Sequence, residues 1–485
     1  MPAITRQCDA PLFKMLQNYA GKWAANFHVP GHKQGRGLPV ELSSLGGQAL
    51  FALDLTEIPE LDDLHNPRGV IARAQELAAR AYGAAKSFFL VNGTTAGVHA
   101  LLLAVGGRGK VIVPRNAHRS VMGGLILSGA DPEYVAPWTI KEFGIAGGVS
   151  PGQVRRALEA NPGAGAVLAV RPNYYGVADE LAGQVRAAHD AGKPLLVDEA
   201  HGAHLRFHPG LPGDAMAAGA DASVQSTHKM GGSLTQSALL HLSGGLLDPG
   251  AVAGALDLLQ TTSPSYILMA SLDLARRQLV LTGQELLEKT LRLAGETRKR
   301  LAGVSGLKVL SEEHLSGGSR ALDLTKLVVS VDGLGLTGYQ VGELLFSRYN
   351  IAIEMADLVN IVAFLSTGTT QAECDALVFA LRDIARRDRL AAAPVPLPEI
   401  PACPVKRMKP RDAWFASARR VAPAEARGRI CAEMVAVYPP GIPVLCPGEE
   451  ITPAVYEYLA AVVKLGLTCQ GLSGRTLKSI KVVVE

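Results

Sequence analysis

The residues of this sequence best suited to chemistry are a lysine in a polar turn and an aspartate after an apolar run. The lysine is Lys229, in the segment Ser226-Thr227-His228-Lys229, and two glycines follow shortly after it. The aspartate is Asp198, in Val197-Asp198-Glu199-Ala200-His201, after the apolar residues 194–197. Such a run is typical of a buried strand, whose end would deliver an acid and an imidazole to a cleft. The two segments therefore predict an amine and a carboxylate that face one binding site.

A third segment, Asn92-Gly93-Thr94-Thr95-Ala96-Gly97, falls between a predicted strand and a predicted helix. Its backbone N–H groups and the hydroxyls of Thr94 and Thr95 would face an anion at the positive end of the helix. It is not a nucleotide-binding P-loop, because no Gly-Lys-Ser/Thr follows. Together with the lysine and the strand-end aspartate, this turn predicts pyridoxal phosphate (PLP) as cofactor. The amine would bind PLP covalently, the carboxylate would keep its pyridine nitrogen protonated, and the turn would hold its phosphate.

Each of these residues also has an ordinary structural interpretation. The glycine-threonine segment is by itself compatible with a plain strand–helix turn, Asp198 with a helix cap, and Lys229 with a solvated surface lysine. His118, in Arg115-Asn116-Ala117-His118-Arg119-Ser120, follows the second predicted strand, where its ring would stack on an aromatic cofactor. A helix N-terminal histidine that faces solvent explains His118 equally well. The combination and the order of the segments favour the cofactor site.

Composition excludes several classes of protein. The chain has 485 residues and a formal net charge of +4, so two or three domains are expected. No run of Lys and Arg alternates with aromatic residues, which argues against a nucleic-acid groove. No apolar stretch is long enough to span a bilayer, and the N-terminus lacks the apolar region of a signal peptide, which predicts a cytoplasmic protein. Six cysteines without a C-x-x-C pair indicate reduced thiols and no metal site, and they are Cys8, Cys374, Cys403, Cys431, Cys446 and Cys469.

The pattern from about residue 80 to 245 alternates short β-rich runs with amphipathic segments, which predicts an α/β domain with a mainly parallel sheet. Strands are predicted at residues 88–91, 111–113, 166–170 and 194–197. Helices are predicted through residues 100–105, from His118, after Ser150-Pro151 and over 181–191.

The remaining chain predicts a smaller domain and a C-terminal domain. A helix over residues 268–301 would lead to strands at 327–331 and 360–365, with helices at 338–349 and 371–386. The proline-rich residues 391–398 indicate a linker. The predicted organisation is an N-terminal segment (1–50), a large PLP-binding domain (51–290), a small α/β domain (291–395) and a C-terminal domain (396–485).

Taken together, these motifs make the chain resemble the short bacterial form of the Orn/Lys/Arg decarboxylase family, PLP enzymes with the aspartate-aminotransferase-like fold (fold type I). The resemblance covers nearly the whole chain. Its C-terminal part, Tyr438-Pro439-Pro440-Gly441-Ile442-Pro443 with Pro447-Gly448-Glu449, resembles a domain that general aminotransferases lack. The other matching segments are Phe27-His28-Val29-Pro30-Gly31-His32-Lys33-Gln34-Gly35, Asp62-Asp63-Leu64-His65-Asn66-Pro67, Val91-Asn92-Gly93-Thr94-Thr95, Pro172-Asn173-Tyr174-Tyr175-Gly176, Asp198-Glu199-Ala200-His201-Gly202, Ser226-Thr227-His228-Lys229 and Thr261-Thr262-Ser263-Pro264-Ser265-Tyr266.

The resemblance implies a role for each site residue. Lys229 would bind PLP covalently, Asp198 would pair with the pyridine nitrogen, and His118 would stack on the ring. Thr94, Thr95 and Ser226 would hold the phosphate. The full set of cofactor-binding residues implied in this way is Gly93, Thr94, Thr95, His118, Asp198, Ala200, His201, Ser226, His228, Lys229, Thr262 and Ser263.

The resemblance also implies how the site is completed. His228 would lie beside the reacting centre as a proton donor or an electrostatic partner. Thr262 and Ser263 match a segment that crosses the dimer interface to the neighbouring subunit's site. Glu354 matches an acid that faces the distal cation of the substrate, although the residues after it, Met355-Ala356-Asp357, depart from the family pattern. A second candidate for this acid is the run that contains Asp54, Glu57, Glu60, Asp62 and Asp63, which is equally compatible with a solvated loop.

The predicted function is PLP-dependent decarboxylation of arginine, lysine or ornithine by a cytoplasmic homodimer or larger homo-oligomer. Arginine is marginally preferred, because the short bacterial form resembles arginine decarboxylases of polyamine biosynthesis as well as lysine decarboxylases. One alternative is a PLP-dependent aminotransferase or lyase on the same scaffold, against which the C-terminal segment argues. The other is a catalytically silent regulatory homologue, against which the intact Lys229, Asp198 and His228 argue.

Overall fold

The structure is a computed structural model that describes residues 6–22, 25–107, 109–315, 321–390, 401–438, 441–465, 468–472 and 477–484. The helices are α1 (Pro11–Tyr19), α2 (Val40–Phe51), α3 (Val70–Tyr82), α4 (Gly93–Gly106), α5 (Arg119–Ser128), α6 (Pro151–Ala160), α7 (Leu181–Asp190), α8 (Thr227–Met230), α9 (Pro249–Leu259), α10 (Tyr266–Ala302), α11 (Gly338–Tyr349), α12 (Gln371–Arg387), α13 (Pro410–Phe415), α14 (Pro423–Ala426) and α15 (Pro453–Lys464).

The strands are short, as expected for an α/β chain. They are β1 (Lys86–Leu90), β2 (Lys110–Pro114), β3 (Asp131–Val135), β4 (Thr139–Ile140), β5 (Ile145–Ala146), β6 (Ala164–Val170), β7 (Val177–Ala178), β8 (Leu195–Asp198), β9 (Ala222–Gln225), β10 (Ala238–Leu242), β11 (Lys308–Val309), β12 (Ala321–Leu322), β13 (Lys326–Ser330), β14 (Met355–Ala356), β15 (Asn360–Phe364), β16 (Ala418–Val421), β17 (Val435–Tyr438), β18 (Ile442–Leu445), β19 (Thr468–Gln470) and β20 (Ile480–Val483).

The chain forms two compact units, one of residues 1–104 and 197–286 and the other of residues 105–196 and 287–485. In the first unit the strand order is β1-β10-β9, with the end of β8 beside β9. β10 runs antiparallel to both of its neighbours. Apolar side chains of α1, α3, β1 and the start of α10 pack into one core, which includes Leu12, Ile71, Phe89, Tyr266 and Met269.

The second unit contains β6, β2 and β3, which pair in parallel. It also contains the antiparallel sheet β11-β13-β15-β14. The second half of α10 packs with α11 and α12 around buried residues of this sheet, such as Leu327, Val329 and Ile361. A C-terminal core is built from α15 and strands β17, β18 and β20 and contains Val455, Leu459 and Ile480.

The structure confirms most of the predicted elements. The helix predicted at residues 338–349 is α11, and the one predicted at 268–301 is α10, which is only slightly longer. Ser150 caps α6 as predicted, since its hydroxyl accepts a hydrogen bond from the Gln153 amide. Strand β10 was not predicted. Because it runs antiparallel to its neighbours, the strand pairing is mixed and not purely parallel. The proline-rich residues 391–398 lie outside the described residues, and the four-domain division remains a prediction.

Within the described part of the chain, no helix is both long and apolar enough to cross a membrane. The six cysteines are all unpaired thiols, and four of them are buried. No cluster of His, Cys, Asp and Glu able to hold a metal ion occurs among the described residues.

Candidate active site

Lys229 lies in the single-turn helix α8, directly after β9. Its amine nitrogen, Nζ, is 2.9 Å from Nε2 of His201, which is buried three residues after the end of β8. One of these nitrogens donates to the other, so the imidazole holds the amine in place. The two polar segments picked out from the sequence therefore meet side by side in the first unit.

Asp198 ends β8 with a carboxylate that is only 6% exposed. Its Oδ1 accepts a hydrogen bond of 3.1 Å from the Ala200 amide. Among the described residues, no Lys, Arg or His nitrogen lies within ion-pair distance of Asp198. A buried carboxylate without a cation is costly, because burial removes the water that stabilises its charge. A protonated pyridine nitrogen is a group that would supply the missing positive charge.

The neighbouring acid, Glu199, is used in a different way. It is fully buried, and its Oε1 accepts a hydrogen bond from the Ala215 amide at 2.8 Å. Its Oε2 accepts from the Ser223 hydroxyl at 2.9 Å and from the Gln225 side-chain amide at 2.7 Å. Glu199 is thus a structural residue that ties β8 to β9, and Asp198 is the acid available to a ligand.

Two hydroxyls meet at the N-terminus of α4. Thr94 Oγ1 and Ser226 Oγ are 3.1 Å apart, although 132 positions separate them in the chain. Gly97 allows this approach, because a Cβ there would lie 2.7 Å from Val224 and keep α4 away from β9. Gly93 starts the helix with a φ of 67°, which favours glycine. The hydroxyl pair and the positive helix end suit a phosphate, with Thr95 exposed beside them.

His228 is half-buried next to Lys229. Its Nδ1 lies 2.8 Å from the carbonyl oxygen of Ser237, which can only accept, so Nδ1 carries the proton. Burial lowers the pKa of His228. At neutral pH the ring is therefore uncharged, and its Nε2 is a proton acceptor.

Thr262 and Ser263 are exposed in the segment between α9 and α10. The preceding residue, Thr261, is anchored by His65, whose Nε2 lies 2.9 Å from the Thr261 carbonyl oxygen. The other ring nitrogen, Nδ1, lies 3.0 Å from the carboxylate of Asp257 in α9. Both partners can only accept when Asp257 is ionised, so His65 donates from both nitrogens as an imidazolium. Burial alone would lower the pKa of His65, but these two acceptors raise it.

The sequence motif Asp62 to Pro67 contains His65 but does not reveal that His65 anchors Thr261. The adjacent acid Asp62 accepts hydrogen bonds from the amides of Arg68 at 2.9 Å and Gly69 at 2.7 Å. These bonds hold the start of α3 and lower the pKa of Asp62 against the opposing effect of burial. Asp62 is therefore a helix-capping acid, which weakens its candidacy as the acid that binds a substrate cation.

His118 and Glu354 belong to the second unit. His118 caps α5, its Nδ1 accepting a hydrogen bond of 3.2 Å from the Ser120 amide, and its side chain is exposed. Glu354 is exposed immediately before β14, and the hydroxyl of Tyr174 donates to its carboxylate. Their predicted contacts with the cofactor and the substrate remain predictions.

The sequence matches known families over most of its length. The model for the major domain of Orn/Lys/Arg decarboxylases matches residues 10–320, and the model for their C-terminal domain matches residues 400–476. The chain belongs to the Orn/Lys/Arg decarboxylase family. This confirms the predicted family, the amino-acid decarboxylase class and PLP as the family's cofactor. The Asp198 carboxylate and the Thr94–Ser226 hydroxyl pair fit that cofactor.

Individual relatives of this family match from end to end. The arginine decarboxylase of Bacillus subtilis (strain 168) is 43% identical over 486 residues, which cover 99% of each chain. The arginine decarboxylase of Halalkalibacterium halodurans is 40% identical, again over 99% of each chain. The crystal structure of the Francisella novicida lysine decarboxylase LdcF superposes with a TM-score of 0.85 at 21% identity, covering 98% of this chain and 81% of that one. That similarity confirms the predicted fold.

Proposed function

We propose that the protein decarboxylates a basic amino acid, preferably arginine, to the corresponding amine and CO2. The observation that carries this proposal is the end-to-end similarity, at 40–43% identity, to arginine decarboxylases. Arginine, lysine and ornithine share an α-amino acid head and a distal cation, and they differ in chain length and in the cationic group. Because the similar relatives are named arginine decarboxylases, a guanidinium is the favoured distal group of the substrate.

PLP, when bound, supplies an electron sink for the electrons left on Cα as CO2 departs. The chain's own groups have defined parts in holding it. Lys229 would provide the amine for covalent attachment, and Asp198 would keep a positive charge on the pyridine nitrogen. The hydroxyls of Thr94, Thr95 and Ser226, with the α4 N-terminus, would bind the phosphate. His118 would stack on the ring, while Gly93, Ala200 and His201 would border the cofactor.

A proton must be delivered to Cα after CO2 has left. His228 is suited to this step, because its Nδ1–H is tied to the Ser237 carbonyl and its Nε2 is left to take up and pass on a proton. Lys229 is the other candidate donor. Delivery to Cα yields the amine. An aminotransferase would instead remove the Cα proton while the carboxylate is retained, and would therefore yield a keto acid.

Substrate specificity is assigned to Glu354. Its exposed carboxylate would pair with the distal guanidinium or ammonium, and the hydrogen bond from Tyr174 would hold it in one orientation. Charge-assisted hydrogen bonds of this type are directional, and those to a guanidinium are often bidentate.

The active assembly is proposed to be a cytoplasmic homodimer or a larger homo-oligomer that serves polyamine biosynthesis. The exposure of Thr262 and Ser263 in the single chain supports a shared site, since a neighbouring subunit could reach both side chains. The Ser263 hydroxyl also lies 3.3 Å from Thr261 Oγ1. Two-fold dimers are the commonest assembly of soluble proteins.

The test is an assay of purified protein with arginine, lysine and ornithine side by side, in which CO2, amine and keto acid are all measured. Amine and CO2 from arginine in equal amounts are expected. A keto acid as the main product would favour the aminotransferase, and a colourless protein without turnover would favour the regulatory homologue. Turnover of lysine or ornithine at higher kcat/KM than arginine would contradict the assigned substrate.

A further inference from the structure

The second unit contains a cavity of about 410 Å³ that is separate in its residues from the Lys229 site. Its walls come from the end of β2, residues 136–146, residues 401–404, β17, β18 and α15. A volume of this size suits a small organic molecule. The polar residues that line it include Arg115, Asn116, Tyr175, Tyr339, Asp357 and Tyr458.

Asp357 gives this cavity an uncompensated acid. Its Oδ2 accepts hydrogen bonds from the Tyr175 hydroxyl at 3.1 Å and from the Asn360 side-chain amide at 2.9 Å. Its Oδ1 accepts from the backbone amides of Val359 at 3.0 Å and Asn360 at 2.8 Å, and from the Asn360 side chain at 2.9 Å. These donors are all neutral, and no cationic nitrogen within the described residues pairs with it. Burial raises the pKa of Asp357. A bound cation would offset this penalty and keep the carboxylate ionised.

Arg115, the cationic side chain in the wall, is already neutralised. Its guanidinium donates to Glu449 Oε2 at 2.9 Å and to the carbonyl oxygens of Pro443 at 2.7 Å and Val444 at 3.0 Å. Glu449 is fully buried, so this pair is a fixed part of the wall. With Arg115 and Glu449 cancelling, the remaining formal charge at the cavity is the negative charge of Asp357.

Three tyrosines line the cavity together with this charge. Tyr175 is bonded to Asp357, and Tyr339 and Tyr458 are half-buried. The hydroxyls of Tyr339 and Tyr458 make no hydrogen bond with any described residue. The negative charge of Asp357 contributes to raising the pKa of both, after the larger effect of burial. Aromatic faces around a carboxylate attract organic cations by cation–π and charge–charge interactions.

We propose that this cavity is a second binding site, which takes a small alkylguanidinium or alkylammonium ion. The cationic end lies between Asp357 and the rings of Tyr339 and Tyr458, and the alkyl chain lies against Ile145 and Val437. The existence of this site does not depend on the catalytic assignment. The identity of its natural occupant rests on the proposed function, whose substrate and product both belong to this class.

Calorimetry with butylguanidinium tests the site, and butylurea is the neutral control of the same shape. The holoenzyme of the Glu354→Gln variant is first reduced with borohydride. The cofactor site is then closed and the proposed substrate acid is removed, so neither success nor failure of the proposed function can produce the result. Binding of about one butylguanidinium per chain is expected, with at least tenfold weaker binding of butylurea. Equal binding of the two, or no binding of either, would overturn the proposal.

Location is tested by alkylation, because Cys403 lines the cavity while Cys8 is exposed in the other unit. Butylguanidinium should slow iodoacetamide labelling of Cys403 severalfold and leave the labelling of Cys8 unchanged, as read by peptide mass spectrometry.

Tyr458→Leu and Asp357→Asn should each weaken calorimetric binding at least tenfold, and the exposed-acid control Glu425→Gln should not. Asp357 also accepts hydrogen bonds from backbone amides. If Asp357→Asn does not fold for that reason, the result for Tyr458→Leu alone decides the test. Unchanged affinity in Tyr458→Leu would refute the assigned site.

Discussion

Nζ of Lys229 lies 2.9 Å from Nε2 of His201, so the amine is held by an imidazole that comes from the end of a different strand. An amine held beside a buried ring differs from the solvated ammonium of a surface lysine. Lys229→Ala should therefore abolish turnover and the visible absorbance of the bound cofactor, with the fold retained by circular dichroism. The exposed-lysine control, Lys289→Ala, should behave as wild type. Borohydride reduction followed by peptide mapping gives the decisive readout, and label on a lysine other than Lys229 would contradict the whole site.

Two neighbouring acids should give opposite phenotypes. Asp198→Asn should keep cofactor binding but lose most of kcat, because a neutral amide cannot hold the pyridine proton and the electron sink weakens most in the transition state. Glu199→Gln should instead lower the free energy of unfolding by about 1–3 kcal/mol, because Glu199 is the buried acceptor of at least three hydrogen bonds. Steady-state kinetics and urea unfolding of both variants separate the two roles. A near-normal kcat in Asp198→Asn would show that Asp198 is a structural cap and does not act on the cofactor.

These acids show what was predictable from the sequence. A lysine after one strand, an acid after another and a Gly-Thr turn before a helix were recognised, since strand ends and helix starts have local signatures. The contact between Thr94 and Ser226 follows from the same logic, because both lie at such ends. The anchoring of Thr261 by His65 could not be predicted, because 196 positions separate them and only tertiary folding brings them together. The same holds for the cavity at Asp357.

His65 should make stability depend on pH. Its pKa is raised above the ordinary value of about 6.5 by its two acceptors. The imidazolium therefore contributes stability that is fully present below about pH 6.5 and is lost as pH rises through the folded-state pKa. The charged groups that face the ring, Asp257 and Asp63, are both acids and act in the same direction. His65→Gln should thus be destabilised relative to wild type at pH 6 and much less so at pH 9, as measured by urea unfolding. A pH-independent difference would mean that His65 is neutral.

Subunit sharing predicts complementation between two inactive chains. A Lys229→Ala chain mixed with a Thr262→Ala/Ser263→Ala chain should form hybrids with one intact site. Random exchange between two-fold dimers would restore about a quarter of the sites. Activity is measured after mixing under conditions that allow subunit exchange, with each chain alone as control. Full activity in a monomer, shown by light scattering at the assay concentration, would rule out sharing.

The carboxylate of Glu354 accepts a hydrogen bond from Tyr174, which fixes one of its oxygens and leaves the other for a substrate cation. Charge-assisted contacts contribute about 1.5–3 kcal/mol. Glu354→Gln should therefore raise KM for the preferred substrate by roughly tenfold to a hundredfold, with a smaller change in kcat. Tyr174→Phe, which removes only the supporting hydroxyl, should give a smaller increase, and the exposed-acid control Glu313→Gln should give none. An exposed acid that only sets local charge contributes little to substrate binding at moderate salt.

If KM in Glu354→Gln is unchanged for arginine, lysine and ornithine alike, the distal cation is bound elsewhere. Asp54 would then be the next acid to replace, because Asp62 is already committed to α3.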